Sequence, residues 1–321
     1  VGQTLATSYY HGDAACYGVL SKMSQEFLMR YPLIHGQGGL GTQESNDMVA
    51  SSRYCVAGDT LIATEKGTMP IKDIVPDSID DSETNIDLYV QGGFGKKRHA
   101  VKFFNTGKRN ILKIQLQNNQ WIKVTPNHPL LTLDKDLNII WKLAENFVVG
   151  DKVLISYDVS NACFGTNNDI AEAKMLGCMI SEGYATTQNR IGINNKDLDM
   201  INPVVDFIKS KINTQANICY NKKRDYYEYC FANAKFYNTF INTYEFSKSK
   251  DKHLPKCFME GTKEYQAICL AYLFEGDGSI DNNHGISYSS ISEELIHQLQ
   301  VILLQNFGII SSINRSSKRN E

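Results

Sequence analysis

The stretch "MLGCMISEGY" (residues 175–184) has a loose echo in "LAYLFEGDGSI" (residues 270–280). Each is an apolar run that closes on a carboxylate followed by glycine, Glu182–Gly183 in the first and Asp277–Gly278 in the second. The offset, 277 − 182 = 95, carries onward: Ile201 falls on Ile296, Val204 on Leu299, Phe207 on Ile302, Ile208 on Leu303 and Ile212 on Phe307. Steps of three and four residues keep these positions on one helix face, so the spacing predicts two copies of one α/β unit. "RIGIN" (190–194) and "ISYSS" (286–290) supply short strands between the helices.

Upstream the period changes from helical to alternating. In "NILKIQLQNNQWIKVTPNHPLLT" (110–132), Leu112, Ile114 and Leu116 alternate, the chain turns at Asn118–Asn119, and Ile122 and Val124 return, which predicts a β-hairpin. "TLIAT" (60–64) and "GDKVLIS" (150–156) read as further strands, so residues 55 to about 160 are expected to be all-β. Before them, "AACYGVLSKMSQEFLMRY" (14–31) places Val19, Leu20, Met23 and Phe27 on one helix face. "PLIHGQGGLGTQESND" (32–47) is dense in glycine and polar residues and reads as a loop.

A chain of 321 residues has room for two or three modest domains. A net charge of −2 excludes a uniformly basic nucleic-acid coat and leaves local patches, "GKKRHAVKFFNTGKR", "YNKKRDYY" and "KSKDKHLPK". Eight cysteines without a CxxC pair suggest neither a disulfide framework nor a zinc knuckle, which fits a reduced, cytoplasmic setting. The longest apolar stretch, around "ICLAYLF", falls far short of the roughly 18 residues of a membrane span. No membrane partner is expected.

Three resemblances give these segments chemistry. "YYHGD" (9–13), the helix, "RYPLIHGQGGLG" (30–41) and "RY" (53–54) together resemble the breakage-reunion domain of the DNA gyrase A and topoisomerase IV family. The resemblance implies that Tyr54 attacks a DNA phosphodiester, that Arg53 lies beside the transferring phosphate, and that His11 lies near bound DNA. The family continues past its tyrosine with Thr-Glu; here "CVAGD" follows.

From that junction the chain resembles an intein, in three ordered blocks: "CVAGDTLIAT" (55–64), "VTPNHPLL" (124–131) and "WKLAENFVVGDKVLIS" (141–156). The resemblance implies a Hint-type splicing domain in which the Cys55 thiolate attacks the Tyr54 carbonyl, an N–S acyl shift. His128 would protonate the departing amide nitrogen, and Thr125 with nearby N–H groups would stabilise the oxyanion. A buried structural Cys55 and a merely packed His128 are the bland alternative.

The doubled region resembles the LAGLIDADG homing endonucleases that interrupt many inteins. That implies αββαββα-type repeats, side-by-side helices delivering Glu182 and Asp277 to divalent metal, usually magnesium, and flanking sheets that grip double-stranded DNA. The target would be the uninterrupted gyrase A gene site. Lys252, in "KHLP", matches a basic position the family uses near the cleavage site; a solvated surface lysine is the alternative. Gly177 allows close helix crossing, whereas its counterpart is Tyr272, so the pair would fit by size complementarity.

The expected organisation is thus an α-rich gyrase A segment (1–54) serving as N-extein, the N-terminal part of a splicing domain (55–160), and an endonuclease domain (161–321). Only 321 − 277 = 44 residues follow the second acid, so the second repeat is expected to be truncated. The intein family's closing His-Asn block does not occur in these 321 residues, so at most the first acyl shift is expected of them. A naturally split intein, completed in trans by a C-terminal polypeptide, is the alternative. A third is a chain active in neither respect, with only the host topoisomerase, an ATP-hydrolysing enzyme, lending its name.

Overall fold

A computed structural model describes residues 13–25, 28–31, 33–34, 55–93, 95–214 and 216–315. Helix α1 (Asp13–Ser24) precedes the junction. Its expected apolar face is not closed over: Val19 is 57% exposed, and Phe27 lies outside the described residues.

Among the described residues eight strands follow without an intervening α-helix: β1 (Leu61–Thr64), β2 (Gly67–Pro70), β3 (Ser82–Gln91), β4 (Lys97–Asn105), β5 (Leu112–Gln115), β6 (Trp121–Val124), β7 (Pro129–Leu133) and β8 (Ile139–Leu143). The first four form one sheet in the order β2-β1-β3-β4, and β5-β6 and β7-β8 are two-stranded pairs. The hairpin from Leu112 to Val124 pairs Leu112 with Val124 and Ile114 with Ile122. Asn119 turns it at φ +62°, a left-handed conformation that asparagine tolerates better than most residues. "GDKVLIS" departs from expectation, because it forms no ladder. It touches β7 through one backbone hydrogen bond, Leu154 N–H to Leu131 O at 3.0 Å, while the Thr132 hydroxyl takes up the Lys152 carbonyl at 2.6 Å.

The remaining elements alternate. They are α2 (Ile170–Glu182), β9 (Gly183–Thr186), β10 (Arg190–Asn195), α3 (Leu198–Lys211), β11 (Cys219–Asn221), β12 (Tyr226–Ala232) and α4 (Ala234–Tyr244), then α5 (Lys256–Met259), α6 (Lys263–Asp277), β13 (Gly278–Ile280), β14 (Ile286–Tyr288) and α7 (Glu293–Phe307). The order from α2 to α4 is αββαββα, and α6 to α7 repeats its first four elements. The repetition extends to hydrogen-bond register. Gly183 pairs with Ile193 and Gly278 with Tyr288, each residue 95 positions from its counterpart. The helix N-caps Asp197 and Ser292 obey the same offset, each accepting an N–H from its own first turn.

The main core lies here, between α2 and α6 and under the sheet β11-β12-β10-β9, with Met175, Met179, Ile191, Ile201, Phe207 and Leu273 shut from solvent. Helices α2 and α6 cross at Gly177. A Cβ there would collide with the Cys269 carbonyl and reach 2.7 Å from the Tyr272 Cβ, so the glycine admits the tyrosine's backbone. One turn on, Gly276 fits against Ser181 in the same way, with the two helices exchanging roles.

Helix α7 also carries the β-region. Gln305 Nε2 donates to Leu61 O (3.3 Å) and Gln91 Nε2 donates to Gln305 O (2.9 Å). Trp121 Nε1 donates to His297 Nε2 (3.2 Å), and the Asn118 carbonyl accepts from Gln300 Nε2 (3.0 Å) and Ile313 N–H (3.1 Å). The last two bonds satisfy the Asn118 carbonyl of the β5–β6 turn where it meets the helix and the segment after it.

Candidate functional site

Two centres emerge. The first forms where the chain at residue 55 runs antiparallel to β6. Val56 bridges Val124, and Ala57 N–H donates to Lys123 O at 2.9 Å. This register puts Cys55 beside Thr125, the residue after the strand. Cys55 N–H donates to Thr125 Oγ1 at 2.9 Å, and Thr125 N–H donates to Cys55 O at 2.9 Å. Thr125 is 7% exposed, so both bonds are sheltered from water.

Residues 125–128 then form a turn closed by His128 N–H to Thr125 O at 3.0 Å, with Pro126 at the position where its fixed φ suits a turn. The segment after β8 braces it, Ala144 N–H donating to His128 O (2.8 Å) and Glu145 N–H to Pro126 O (2.9 Å). The turn brings the His128 ring to the Cys55 backbone. Burial holds that imidazole below its ordinary value, and the hydrogen bond to the Cys55 backbone opposes the shift.

One contact went unread in the sequence. Thr106 Oγ1 donates to Cys55 Sγ at 3.4 Å. Its only signal is the Asn-Thr-Gly turn closing β4, which predicts a bend and says nothing of chemistry. Tyr54, Arg53 and His11 lie outside the described residues.

The second centre sits where α2 and α6 end side by side. Glu182 and Asp277 close those helices, and both are half-buried. Burial, and then the negative charge of Asp277, hold the Glu182 carboxyl above the ordinary carboxylate range; the Lys252 ammonium opposes this. Asp277 is likewise raised by burial, against Lys252 and a 3.4 Å hydrogen bond from the Tyr288 hydroxyl. Asn195 Nδ2 donates to Glu182 Oε1 at 3.3 Å. Asn195 and Tyr288 were also unread, because each is an ordinary strand residue until the hairpins fold back on the acids.

Lys252 is not a solvated surface lysine. Its ammonium donates to Ser181 O at 2.9 Å, and burial lowers its pKa while Asp277 and Glu182 pull it back up. Ser292, the N-cap of α7, holds its backbone by donating to Lys252 O at 2.5 Å. Two half-buried carboxylates, each raised chiefly by burial, suit a divalent cation, and Glu182 and Asp277 would hold it. Among the described residues no group of three or more His, Cys, Asp or Glu side chains gathers at one point, so further ligands would have to come from water or substrate oxygens.

Paired acid-bearing helices with register-matched hairpins define a LAGLIDADG-type unit. Residues 264–321 match the family model for a LAGLIDADG-like domain, and residues 1–76 match that for the A subunit of DNA gyrase/topoisomerase IV. The DNA gyrase A subunit of Mycolicibacterium flavescens is 31% identical over 332 residues, covering 97% of this chain and 58% of that protein. The chain therefore spans little more than half the length of that relative. The replication factor C small subunit of Methanocaldococcus jannaschii is 28% identical over 312 residues, covering 94% of this chain and 16% of that protein. Among solved structures, the homing endonuclease I-DmoI in complex with DNA and Mn overlaps 47% of this chain and 84% of its own, at 19% identity and a TM-score of 0.35. The chain is a segment of the gyrase A family joined to a LAGLIDADG domain.

Proposed function

We propose that residues from Cys55 onward are an intein with a Hint-type splicing region, inserted behind the gyrase tyrosine and carrying a homing endonuclease. The observation that carries the splicing reading is the convergence on Cys55. Thr125 holds the nitrogen of the Tyr54–Cys55 bond, His128 lies against the same residue, and Thr106 meets the sulfur. In this reading the Cys55 sulfur takes the Tyr54 acyl group, the C–N bond breaks, and His128 protonates the nitrogen that Thr125 has positioned. Thr125 then acts at the amide nitrogen, a different place from the oxyanion role inferred from the sequence. The match to two unrelated host proteins, a gyrase and a replication factor, supports an element that occupies more than one host.

The test is thiol-induced cleavage. Dithiothreitol should release residues 1–54 from the wild type and not from Cys55→Ala; equal release from both would end the splicing reading.

The nuclease reading rests on the second centre and needs its own test. Glu182 and Asp277 are presented together at the helix ends, with Lys252 beside them to offset developing negative charge. A bound divalent cation, magnesium in this reading, would supply Lewis-acid stabilisation and an activated water for phosphodiester hydrolysis. The partner is double-stranded DNA bearing the uninterrupted gyrase A site, met in the cytoplasm. Plasmid carrying that site should be nicked with magnesium, and persistence of nicking in Glu182→Gln would remove that residue from the mechanism. A naturally split intein completed in trans by a C-terminal polypeptide is the alternative reading, and the absence of strand passage before excision belongs to the proposal itself. A strand-passage assay on the unspliced chain addresses the latter.

A further inference from the structure

We infer that Thr106 is a positioning residue for the acyl shift, holding the Cys55 sulfur in the orientation from which it reaches the upstream carbonyl. The inference rests on the splicing reading and adds a residue to it. A cysteine sulfur has one soft torsion with three staggered wells, so fixing the backbone alone leaves its direction open. At Cys55 the backbone is fixed by Thr125 on both its N–H and its C=O. Among the described residues, the hydrogen bond that reaches the sulfur comes from Thr106, at 3.4 Å.

Thr106 is itself held from both sides. Asn105, the last residue of β4, donates from Nδ2 to Ser78 O (3.2 Å) and Ser78 Oγ (3.1 Å), and its Oδ1 accepts Gly107 N–H at 2.9 Å. Gly107 sits at φ +65°, and a Cβ there would press to 3.1 Å from the Asp80 carboxyl carbon. The turn therefore has little freedom, and the hydroxyl it carries is aimed at a fixed point 51 residues back in the chain.

The step balances without an added reagent. The Sγ–C bond forms at the Tyr54 carbonyl carbon, the C–N bond to Cys55 breaks, and the thiol proton ends on the freed amine, so the reaction is an isomerisation. A hydroxyl that donates to sulfur leaves the remaining sulfur lone pairs for attack and disfavours the two unproductive wells. A neutral hydrogen bond of this kind corresponds to about a three- to tenfold change in rate.

The test compares Thr106→Val and Thr106→Ser with wild type. Release of residues 1–54 by dithiothreitol should slow about three- to tenfold in Thr106→Val and return to the wild-type rate in Thr106→Ser. In parallel, iodoacetamide labelling of Cys55, read by peptide mass against the exposed Cys219, should stay within about twofold of wild type, since a small alkylator does not need the productive orientation. Wild-type release from Thr106→Val overturns the inference. So does labelling of Cys55 that falls in step with release, because the hydroxyl would then be setting thiol reactivity rather than direction. Absence of release from wild type, or equal release from Cys55→Ala, removes the splicing reading itself and this inference with it. Should Thr106→Val expose the buried Cys178 and Cys269 to labelling, Thr106→Ala replaces it under the same criteria.

Discussion

Cys55 and Thr125, 70 residues apart in sequence, are joined by two hydrogen bonds of 2.9 Å, one in each direction. The pair is an extension of the Val56–Val124 bridge, so the sheet itself brings the junction to the turn that carries His128. Replacing Thr125 with valine keeps the shape and removes the acceptor for Cys55 N–H. A sheltered donor left without its partner costs about 1–3 kcal/mol. Denaturant unfolding should register that loss, and thiol-induced release should fall at least tenfold, with Thr125→Ser close to wild type.

His128 gives a pH dependence with a definite sign. Its folded value lies below the ordinary 6.5, with burial as the leading cause. Above 6.5 the ring is neutral in both folded and unfolded chains and makes no difference to stability. As pH falls through 6.5 the unfolded chain takes up the proton first, so stability is lost until the depressed folded value is reached. His297, also lowered by burial, acts in the same direction. Melting temperature should therefore fall between pH 7.5 and 5, and fall less steeply in His128→Gln; parallel curves would refute the assignment.

The crossing of α2 and α6 has no space at Gly177, where an added methyl meets the Cys269 carbonyl and the Tyr272 Cβ. Gly177→Ala should cost about 1–3 kcal/mol by forcing the helices apart. Because Glu182 and Asp277 are carried on those helices, nicking should drop more than stability alone explains. Tyr272→Ala keeps the Cβ at position 272 and leaves the Cys269 carbonyl in place, so the double variant should not recover the loss.

Trp121 links the two regions. Its indole donates to His297 on α7, while Lys113 and Lys123 lie over its ring at 4.8 Å each, and β6 leads directly from it to Thr125. Trp121→Phe, which keeps the ring and removes the donor, should slow thiol-induced release by a fewfold while leaving DNA nicking unchanged. Equal loss of both activities would point to general unfolding instead.

The repeat was legible in the sequence because an apolar face at fixed offset is a local property of helices; that the same 95-residue offset governs strand register is visible only in the fold. The hairpin from Leu112 to Val124 was legible for the same reason, through alternation and an asparagine turn. The strand at "GDKVLIS" was misread, because an apolar run states a preference for burial and leaves open whether a neighbouring edge is free to pair. The exposed Val19 shows the same limit for helix α1. The long β3–β4 pair carries polar and charged residues along much of its length, and its alternation went unread.

By itself the sequence determined the paired apolar helices, the Leu112–Val124 hairpin and which residues have reactive groups: the cysteine at the junction, the Thr-x-x-His turn, and two carboxylates each closing an apolar helix. Only the tertiary structure decided what those groups touch. That Thr125 meets the nitrogen of Cys55, that Thr106 meets its sulfur, and that the Lys252 ammonium meets the Ser181 carbonyl all depend on chain segments tens of residues apart meeting within hydrogen-bond distance. Helix and strand patterns arise from interactions a few residues long, whereas such meetings are fixed by the packing of whole elements, which one-dimensional periodicity does not encode.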